Sequence, residues 1–485
     1  MGDYLGFGIW SLEFNMSRKK LVTDEVDNVI ERALRILKGK PIDGYEIYVD
    51  EATHFGVESK DGNVETFEAS HSWGMAARVL RDRRTGFSYF TSTQPFPSGS
   101  RQFADVLERT IEDAQASARV TSPDPSFDFS PALQKPLPAL PIFDEAFEKV
   151  SEKEKIEKAR RLEEAARSVD PRKIKKVRKA SYQEGISHTT LINSNGLHAS
   201  YSSTLCSISV TAVAEEAGES EIGWDFDHSH FLDDLDIRKV GESAGKRALG
   251  RLGGKRVTSG VYPVILRNDV ASEFLSLLAH AFLADQVQKG KSPLKGKLGE
   301  KFLSPLISIV DDGLLLKGIS TSPIDGEGMP SQRTSLVSQG EVLGYLFDRY
   351  WAHRENASSN SRRESTGNSR RTGIKSPPAV GISNFYIEAG KLPFSNMLSN
   401  VRQGIVVDEV MGLHTVSPIS GDFSLGCSGN WVGRGEIAYP IKSIAIAGNL
   451  FELFRNVREI GEDLRFLGSV GSPSLLVGEM RISGQ

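Results

Sequence analysis

A chain of 485 residues with 39% apolar side chains has material for two or three soluble domains and a large core. A formal charge of −4 and a pI of about 6.2 provide no overall field for nucleic acid, which calls for a strongly basic face. Cys206 and Cys427 are too few for a disulfide framework or a thiolate metal cluster, and no apolar run reaches the length of a membrane span. With no signal-peptide pattern at the N-terminus, these features point to a cytoplasmic protein, neither exported nor membrane-bound.

Residues 1–15, MGDYLGFGIWSLEFN, are aromatic-rich and patternless and are read as a disordered or non-native leader, with Met16 as a candidate start. From about Val22 to Lys38, residues Val26, Ile30, Ala33, Leu34 and Leu37 line one face of an amphipathic helix. Between Tyr45 and Ser92, short β-rich runs broken at Asp61-Gly62 and Thr85-Gly86 predict three or four antiparallel strands. A helix from about Ser98 to Ala118 packs Phe103, Leu107 and Ile111 on them, completing an α+β unit over 16–120. Six prolines in 121–142 resist helix and ladder alike, which makes 121–147 a connector draped over the surface.

A second α+β part spans 148–255. Its helix from Glu148 to Arg167 alternates Lys and Glu, a solvated face laced with i,i+4 pairs. Strands follow Pro171, with Asn195-Gly196 as a hairpin turn, and then a helix from about Leu235 to Leu249. Asp225-Phe-Asp-His-Ser-His230, with Asp233 and Asp234 after it, is the richest set of potential ligands in the chain. On a strand, His228 and His230 share a side, as a metal would require, but polar residues bunched at a strand end also simply face water. The plainer alternative is preferred.

The C-terminal domain, 256–485, opens with a buried strand at Pro263-Val-Ile-Leu-Arg267 and a helix from Asn268 to Gly290, where chemistry is expected. Val270, Phe274, Leu277, Leu278, Phe282 and Val287 form its apolar face, Asn268 or Asp269 caps it, and Gly290 ends it. A zinc helix carries two ligands about a turn apart with a Glu beside them. Here His280 has Ser276 four residues before it and Leu275 five before, so it reads as a satisfied core histidine rather than a ligand. Beyond Gly290, frequent turns and short apolar runs predict a closed or strongly curled antiparallel sheet with no clear helix before Phe451. Asp311-Asp312-Gly313 reads as a tight turn rather than an acid pair. Cys427 has no histidine near it in sequence to make it a nucleophile. The stretch from Arg354 to Pro378 is Ser/Asn/Arg-rich and expected to be mobile unless a partner orders it. The fold class is therefore α+β: an N-terminal α/β-type domain of antiparallel sheet and helices, then a mostly antiparallel, barrel-like C-terminal domain.

Several stretches resemble the TldD/PmbA family, whose members include metalloproteases and are often labelled modulators of DNA gyrase. They are Gly296-Lys-Leu-Gly-Glu300, Val310-Asp-Asp-Gly313, Asp325-Gly-Glu-Gly328, Ser365-Thr-Gly-Asn368, Gly421-Asp-Phe-Ser-Leu-Gly426 and Ile444-Ala-Ile-Ala-Gly-Asn449, and the ending is closest to the PmbA branch, also called TldE. In the TldD branch the matching helix carries His-Glu-x-x-x-His, with a cysteine nearer the C-terminus as third zinc ligand. His280 falls on the second histidine, Leu275 on the first and Ser276 on the glutamate, while 461–485 holds no cysteine. The resemblance thus implies a catalytically silent subunit without a cofactor of its own. Zinc is expected in a TldD-like partner, and the pair would cleave small unfolded peptides in a closed chamber. A homodimer in the partner's absence stays open. The Gly-rich run Gly421, Asp422, Phe423, Ser424 and Gly426 is the candidate strand edge for holding an extended peptide. The alternative is a gyrase-associated or DNA-binding regulator without protease role, with Arg362, Arg363, Arg370 and Arg371 as its candidate phosphate contacts.

Overall fold

The computed structural model describes residues 18–93, 101–359 and 362–484, apart from the side chains of 18–25 and 101–102. The expected leader and Met16 lie outside the described residues. Helix α1 (Arg18–Leu37) leads into β1 (Gly44–Lys60), β2 (Asn63–Arg81), β3 (Arg84–Ser92) and α2 (Arg101–Val120). The same order returns in α3 (Glu152–Ser168), β4 (Lys176–Asn193), β5 (His198–Glu216), β6 (Glu219–Ser229) and α4 (Ile237–Arg251). Because β1 pairs antiparallel with β4, the two α-β-β-β-α units share one six-stranded sheet, ordered β3-β2-β1-β4-β5-β6.

All four helices lie on one face of that sheet. Leu107 and Ile111 of α2 pack with Ile47, Met75 and Val79, whereas Leu162 of α3 and Ala244 of α4 pack with Val57, Tyr182, Ile208 and Val210. Glycine permits the closest approach in each half: a Cβ on Gly86 would stand 1.9 Å from the Ala114 carbonyl of α2, and one on Gly223 2.2 Å from the Ala248 nitrogen of α4. The same device at corresponding positions marks the two units as structural repeats.

The C-terminal part contains β7 (Gly260–Leu266), α5 (Asn268–Ala279), α6 (Ala284–Gln288), β8 (Ile309–Asp312), β9 (Arg333–Ser338), β10 (Glu341–Val342) and α7 (Arg349–Ser358). After them come β11 (Ser369–Arg370), β12 (Ala379–Val380), β13 (Phe385–Ile387), α8 (Phe394–Ser399), β14 (Gln403–Met411), β15 (Asp422–Gly433) and β16 (Glu436–Asn449). The chain closes with α9 (Leu450–Arg455), β17 (Val457–Ile460), β18 (Arg465–Leu467), β19 (Val470–Ser472) and β20 (Leu475–Ser483). Strands β16, β15, β14, β7 and β20 follow one another around a ring, and β16 pairs again with β20 to close a five-stranded barrel. Only its β7–β14 contact is parallel. The expected curled sheet is this barrel, and α5 lies in the large core beside it with Phe274, Leu275 and Leu278 fully buried.

Five expectations are corrected. The helix expected to run to Gly290 stops at Ala279, passes through one tight turn over 280–282, and resumes as α6 after Leu283 takes an extended backbone. Asn268 is the first residue of the helix rather than its cap: its Oδ1 accepts from the neighbouring Asp269 N–H at 2.9 Å, and its amide donates to the Asp463 carbonyl at 2.9 Å. Helices α7 and α8 interrupt the supposedly helix-free region; α7 was invisible to periodicity because its residues are mostly polar, and Asp348 caps it by accepting from the Trp351 N–H at 2.8 Å. Asp311 and Asp312 end a buried strand rather than form a turn. The proline-rich connector is anchored rather than draped: Phe129 is buried, Asp124 accepts from Tyr350 at 2.8 Å and Asp128 pairs with Arg349 at 3.1 Å.

The described residues of the stretch expected to be mobile are held in place by the chain itself. The Arg371 guanidinium donates to Glu46 of β1, which also accepts two bonds from Arg78 of β2 at 2.8 and 2.6 Å. Arg78 lies 5.5 Å from the ring centres of Phe127 and Phe129, and Arg371 lies 4.4 Å from that of Tyr48. Asn368 donates to the buried Asp311 at 2.7 Å, and Arg370 to the Ile382 carbonyl at 2.8 Å. Replacing Arg371 by Ala should therefore cost about 3 kcal/mol in chemical denaturation, as expected when one partner of a buried ion pair is removed. A surface loop would shift the midpoint hardly at all.

Candidate functional site

Helix α5 presents two faces. Its inner face is apolar, while Glu273, Ser276, Leu277 and His280 lie on the less buried side, three and four residues apart. The helix is fastened to the N-terminal sheet at its first turn: buried Asp269 pairs with Arg247 of α4 at 2.7 Å and with Arg465 at 3.3 Å, and Arg465 also holds Asp225 of β6 at 2.6 Å. A second clasp joins β14 to the same region, where Glu409 pairs with Arg251 at 2.7 Å and accepts from the Trp224 indole at 3.4 Å. Asp269 and Glu409 thus have cationic partners. Half-buried Glu273 has no ion pair among the described residues, and burial, then Asp269 and Glu409, push its carboxyl up to about 7.

His280 is exposed, which corrects its reading as a core histidine; its Nδ1 lies 3.3 Å from the Ser276 carbonyl, and the chain turns away before it can enter the core. At the other two positions matching the zinc motif, Leu275 is fully buried and the Ser276 hydroxyl donates to the Glu273 carbonyl at 2.7 Å. Helix α5 therefore brings one imidazole and no adjacent carboxylate to that place. Among the described residues, no group of three or more His, Cys, Asp or Glu is arranged to hold a metal ion.

The other candidates are dispersed. Buried His230 places its ring nitrogens near the Thr204 and Gly318 carbonyls. His228 stacks on Phe226 with ring centres 5.8 Å apart, and burial lowers its pKa. Cys427 is buried in β15 between β14 and β16, and desolvation pushes its thiol up to about 12. Gly421 turns with φ +80°, where a Cβ would stand 2.7 Å from the Phe451 ring. Phe423 packs on Phe274 at 5.1 Å, while Asp422 and Ser424 are exposed. Residues 422–425 ladder with β16, but from Gly426 onward β15 is flanked by both β14 and β16, so the expected open edge does not extend there. Arg370 and Arg371 serve internal acceptors, and Arg363 pairs with Glu355 at 3.2 Å, so the basic run offers no shared phosphate-binding surface.

Sequence reasoning missed Glu273 and the clasp residues Asp269, Arg247 and Arg465, which lie far apart in the chain. It also missed a buried acid group at the junction of the N-terminal sheet with the C-terminal domain. There, burial and then repulsion from Glu327 push Asp325 and Asp348 up to about 7, and burial raises Glu327 as well, against the pull of Arg78. Asp325 and Glu327 lie in a segment that carries the family resemblance, but nothing in the sequence marked them as buried.

Comparison with known proteins accounts for this arrangement. Family models for the PmbA/TldA metallopeptidase domain 1, central domain and C-terminal domain match residues 45–118, 145–252 and 259–484. Metalloprotease PmbA of Escherichia coli O157:H7 is 32% identical over 95% of this chain and 96% of its own length. The chain belongs to the PmbA/TldD metallopeptidase family. A TldD homolog from Haemophilus influenzae is 26% identical over 93% of this chain and 94% of its own. A solved structure of a candidate modulator of a DNA gyrase from Thermotoga maritima is 26% identical, covers 94% of this chain and 100% of its own, and superposes with a TM-score of 0.83. TldE from Thermococcus kodakarensis shares the fold, with a TM-score of 0.83 at 22% identity over 95% of this chain and 100% of its own.

The raised Glu273 carboxyl has a measurable consequence within this family fold. The folded state retains a proton that the unfolded chain releases near 4.5, so stability falls as pH rises from 4.5 to about 7 and then levels off. Glu273→Gln removes this loss. Allowing for solvent screening, the variant should be about 1 kcal/mol more stable than the parent at pH 8 and equal to it at pH 4, measured by denaturant titration at both.

Proposed function

We propose that this chain is the non-catalytic, TldE/PmbA-like subunit of a heterodimeric zinc metallopeptidase that degrades or processes small unfolded peptides in the cytoplasm. In this reading a TldD-like partner carries the zinc and the water-activating base, and this chain forms part of the chamber wall. The supporting observation is the chemistry of α5: in a family of metallopeptidases, Leu275 faces the core and Ser276 bonds to its own helix where the resemblance calls for a histidine and a glutamate. A hydrolytic zinc requires about three protein ligands, an open position for water and a base beside it. His280 supplies one imidazole.

The partner is what makes the reading testable. An unstructured peptide should be cleaved when this chain is mixed with a TldD-like protein and left intact by this chain alone. Zinc should track the partner, and His280→Ala in this chain should leave turnover by the mixture unchanged. Peptide cleavage by the chain alone, with stoichiometric zinc that disappears in His280→Ala, would overturn the proposal.

A further inference from the structure

The junction between the N-terminal sheet and the C-terminal domain holds three buried carboxyls, Asp325, Glu327 and Asp348, none of which forms an ion pair among the described residues. They bond to backbone instead. Asp325 accepts from the N–H groups of Glu327, Met329 and Ser369, Glu327 from that of Arg349 at 3.1 Å, and Asp348 from that of Trp351 at 2.8 Å. Asp325 therefore fixes the loop that carries Glu327, and Glu327 and Asp348 both meet the first turn of α7.

The cations around them are committed elsewhere. Arg78 of β2 and Arg371 both donate to Glu46 of β1, and Arg370 donates to the Ile382 and Ser320 carbonyls. From α6, Asp285 adds repulsion to Asp348 and is itself paired with Lys289 at 2.9 Å, while Tyr201 of β5 lies within electrostatic reach of Asp325. Three carboxylates shut away from water without a counter-charge are costly, because each ion loses several kcal/mol of solvation. Burial and then repulsion from Glu327 accordingly hold Asp325 and Asp348 up at about 7.

Arg349, the first residue of α7, stands between this group and the connector. Its Nη2 donates at 3.1 Å to Asp128, whose side chain is 51% exposed while that of Arg349 is 14% exposed. Its Nε is buried without a hydrogen-bond partner, Nη1 lies 4.0 Å from the Met329 sulfur, and its charge acts on Glu327. Tyr350 and His353 of the same helix touch the connector too, at Asp124 (2.8 Å) and at the Ser126 carbonyl (3.2 Å). A pair with an exposed carboxylate is worth ~0–1 kcal/mol, whereas an interior carboxylate attracts the same cation through a less polarisable medium. Asp128 is thus the weaker partner once an interior acid is ionised.

From this arrangement we infer that Arg349 is a proton-controlled latch on the connector: it holds Asp128 while Asp325, Glu327 and Asp348 retain protons, and turns inward to Glu327 when they ionise, loosening residues 124–128. Phe129 stays buried against Arg78 in either state, so the connector loosens on one side only. The sign follows from linkage. The latched state binds more protons than the released one, so the latch is strongest in acid, weakens as pH rises toward about 7 and levels off above it.

Hydrogen exchange of peptides covering 121–129 tests the inference, with protection expressed relative to the unstructured rate at each pH. In the parent, protection of this segment should fall about fivefold between pH 5 and pH 8 while α7 keeps its own. Glu327→Gln, whose amide oxygen still accepts from the Arg349 N–H, should hold the pH 5 value throughout. Arg349→Met should show the pH 8 value throughout, and it decides alone if Glu327→Gln does not fold. His353→Gln is the control for the imidazole that faces the same segment, and should keep the parental dependence. Equal protection at both pH values in the parent overturns the inference, as does a dependence that survives Glu327→Gln or Arg349→Met, or one that vanishes in His353→Gln. Recovery of protection at pH 8 on adding millimolar calcium or magnesium also overturns it, since a bound cation rather than a proton would then neutralise the acid group.

Discussion

A carboxylate shut away from water between two guanidinium groups governs how the halves of this molecule meet. Burial alone would push the Glu46 carboxyl up, yet Arg78 and Arg371 outweigh it and hold the group below its ordinary range. Stripping ions of solvent is expensive, and such a pair is tolerated only where geometry supplies several bonds in return. Here Arg78 comes from the same sheet and Arg371 from a C-terminal segment more than three hundred positions away, so the arrangement is complete in only one docking pose. The Asp269–Arg247 and Asp225–Arg465 clasps fix the other side of the contact, from α5 to β6. Together they determine where the helix lies.

This division of labour explains which parts of the structure were legible in the sequence. Local periodicity is enough for an amphipathic helix, and Leu107 and Ile111 lie where their spacing predicts. Barrel closure was also within reach, because frequent turns and short apolar runs leave few other ways to bury an antiparallel sheet. Long-range charge pairing has no local signature. Arg370 and Arg371 sit among Ser and Asn in a composition that belongs to unfolded chain, and only the position of Glu46 and of the Ile382 carbonyl makes them interior. The break at His280 was hidden for a related reason: Phe282 and Val287 preserve helical spacing across it and are buried from either side of the turn.

The segments carrying the family resemblance have a common physical use. Asp311 accepts from Asn368 at 2.7 Å and from the Ser383 N–H at 2.7 Å, while Asp325 accepts from the N–H groups of Glu327, Met329 and Ser369. Gly328, at φ +85°, brings its backbone against Leu197 of the N-terminal domain, where a Cβ would lie 2.2 Å from a methyl carbon. Asp311 and Asp325 tie segments of the C-terminal domain together, and Gly328 brings that domain against the N-terminal one. A sequence match concentrated in them is strong information about fold and says less about chemistry.

The same distinction applies to α5. A histidine at position 275 would need a hydrogen-bond partner or a metal for each ring nitrogen, since an unpaired polar atom in a core costs roughly 1–3 kcal/mol. Leucine needs none and gains about 2 kcal/mol from its own burial. Leu275 is in contact with the largest apolar core of the molecule and is fully inaccessible, so the helix is a strut whose inner surface is mostly apolar, with Asp269 and Ser272 the bonded polar exceptions in its first turns. Its outer surface keeps Glu273 and His280, groups too far apart in sequence to form the motif and too solvated to be required for packing. Such a helix spends its inner positions on packing and leaves one exposed imidazole and one half-buried carboxyl on its outer side, and it is on this division that the proposed non-catalytic role rests.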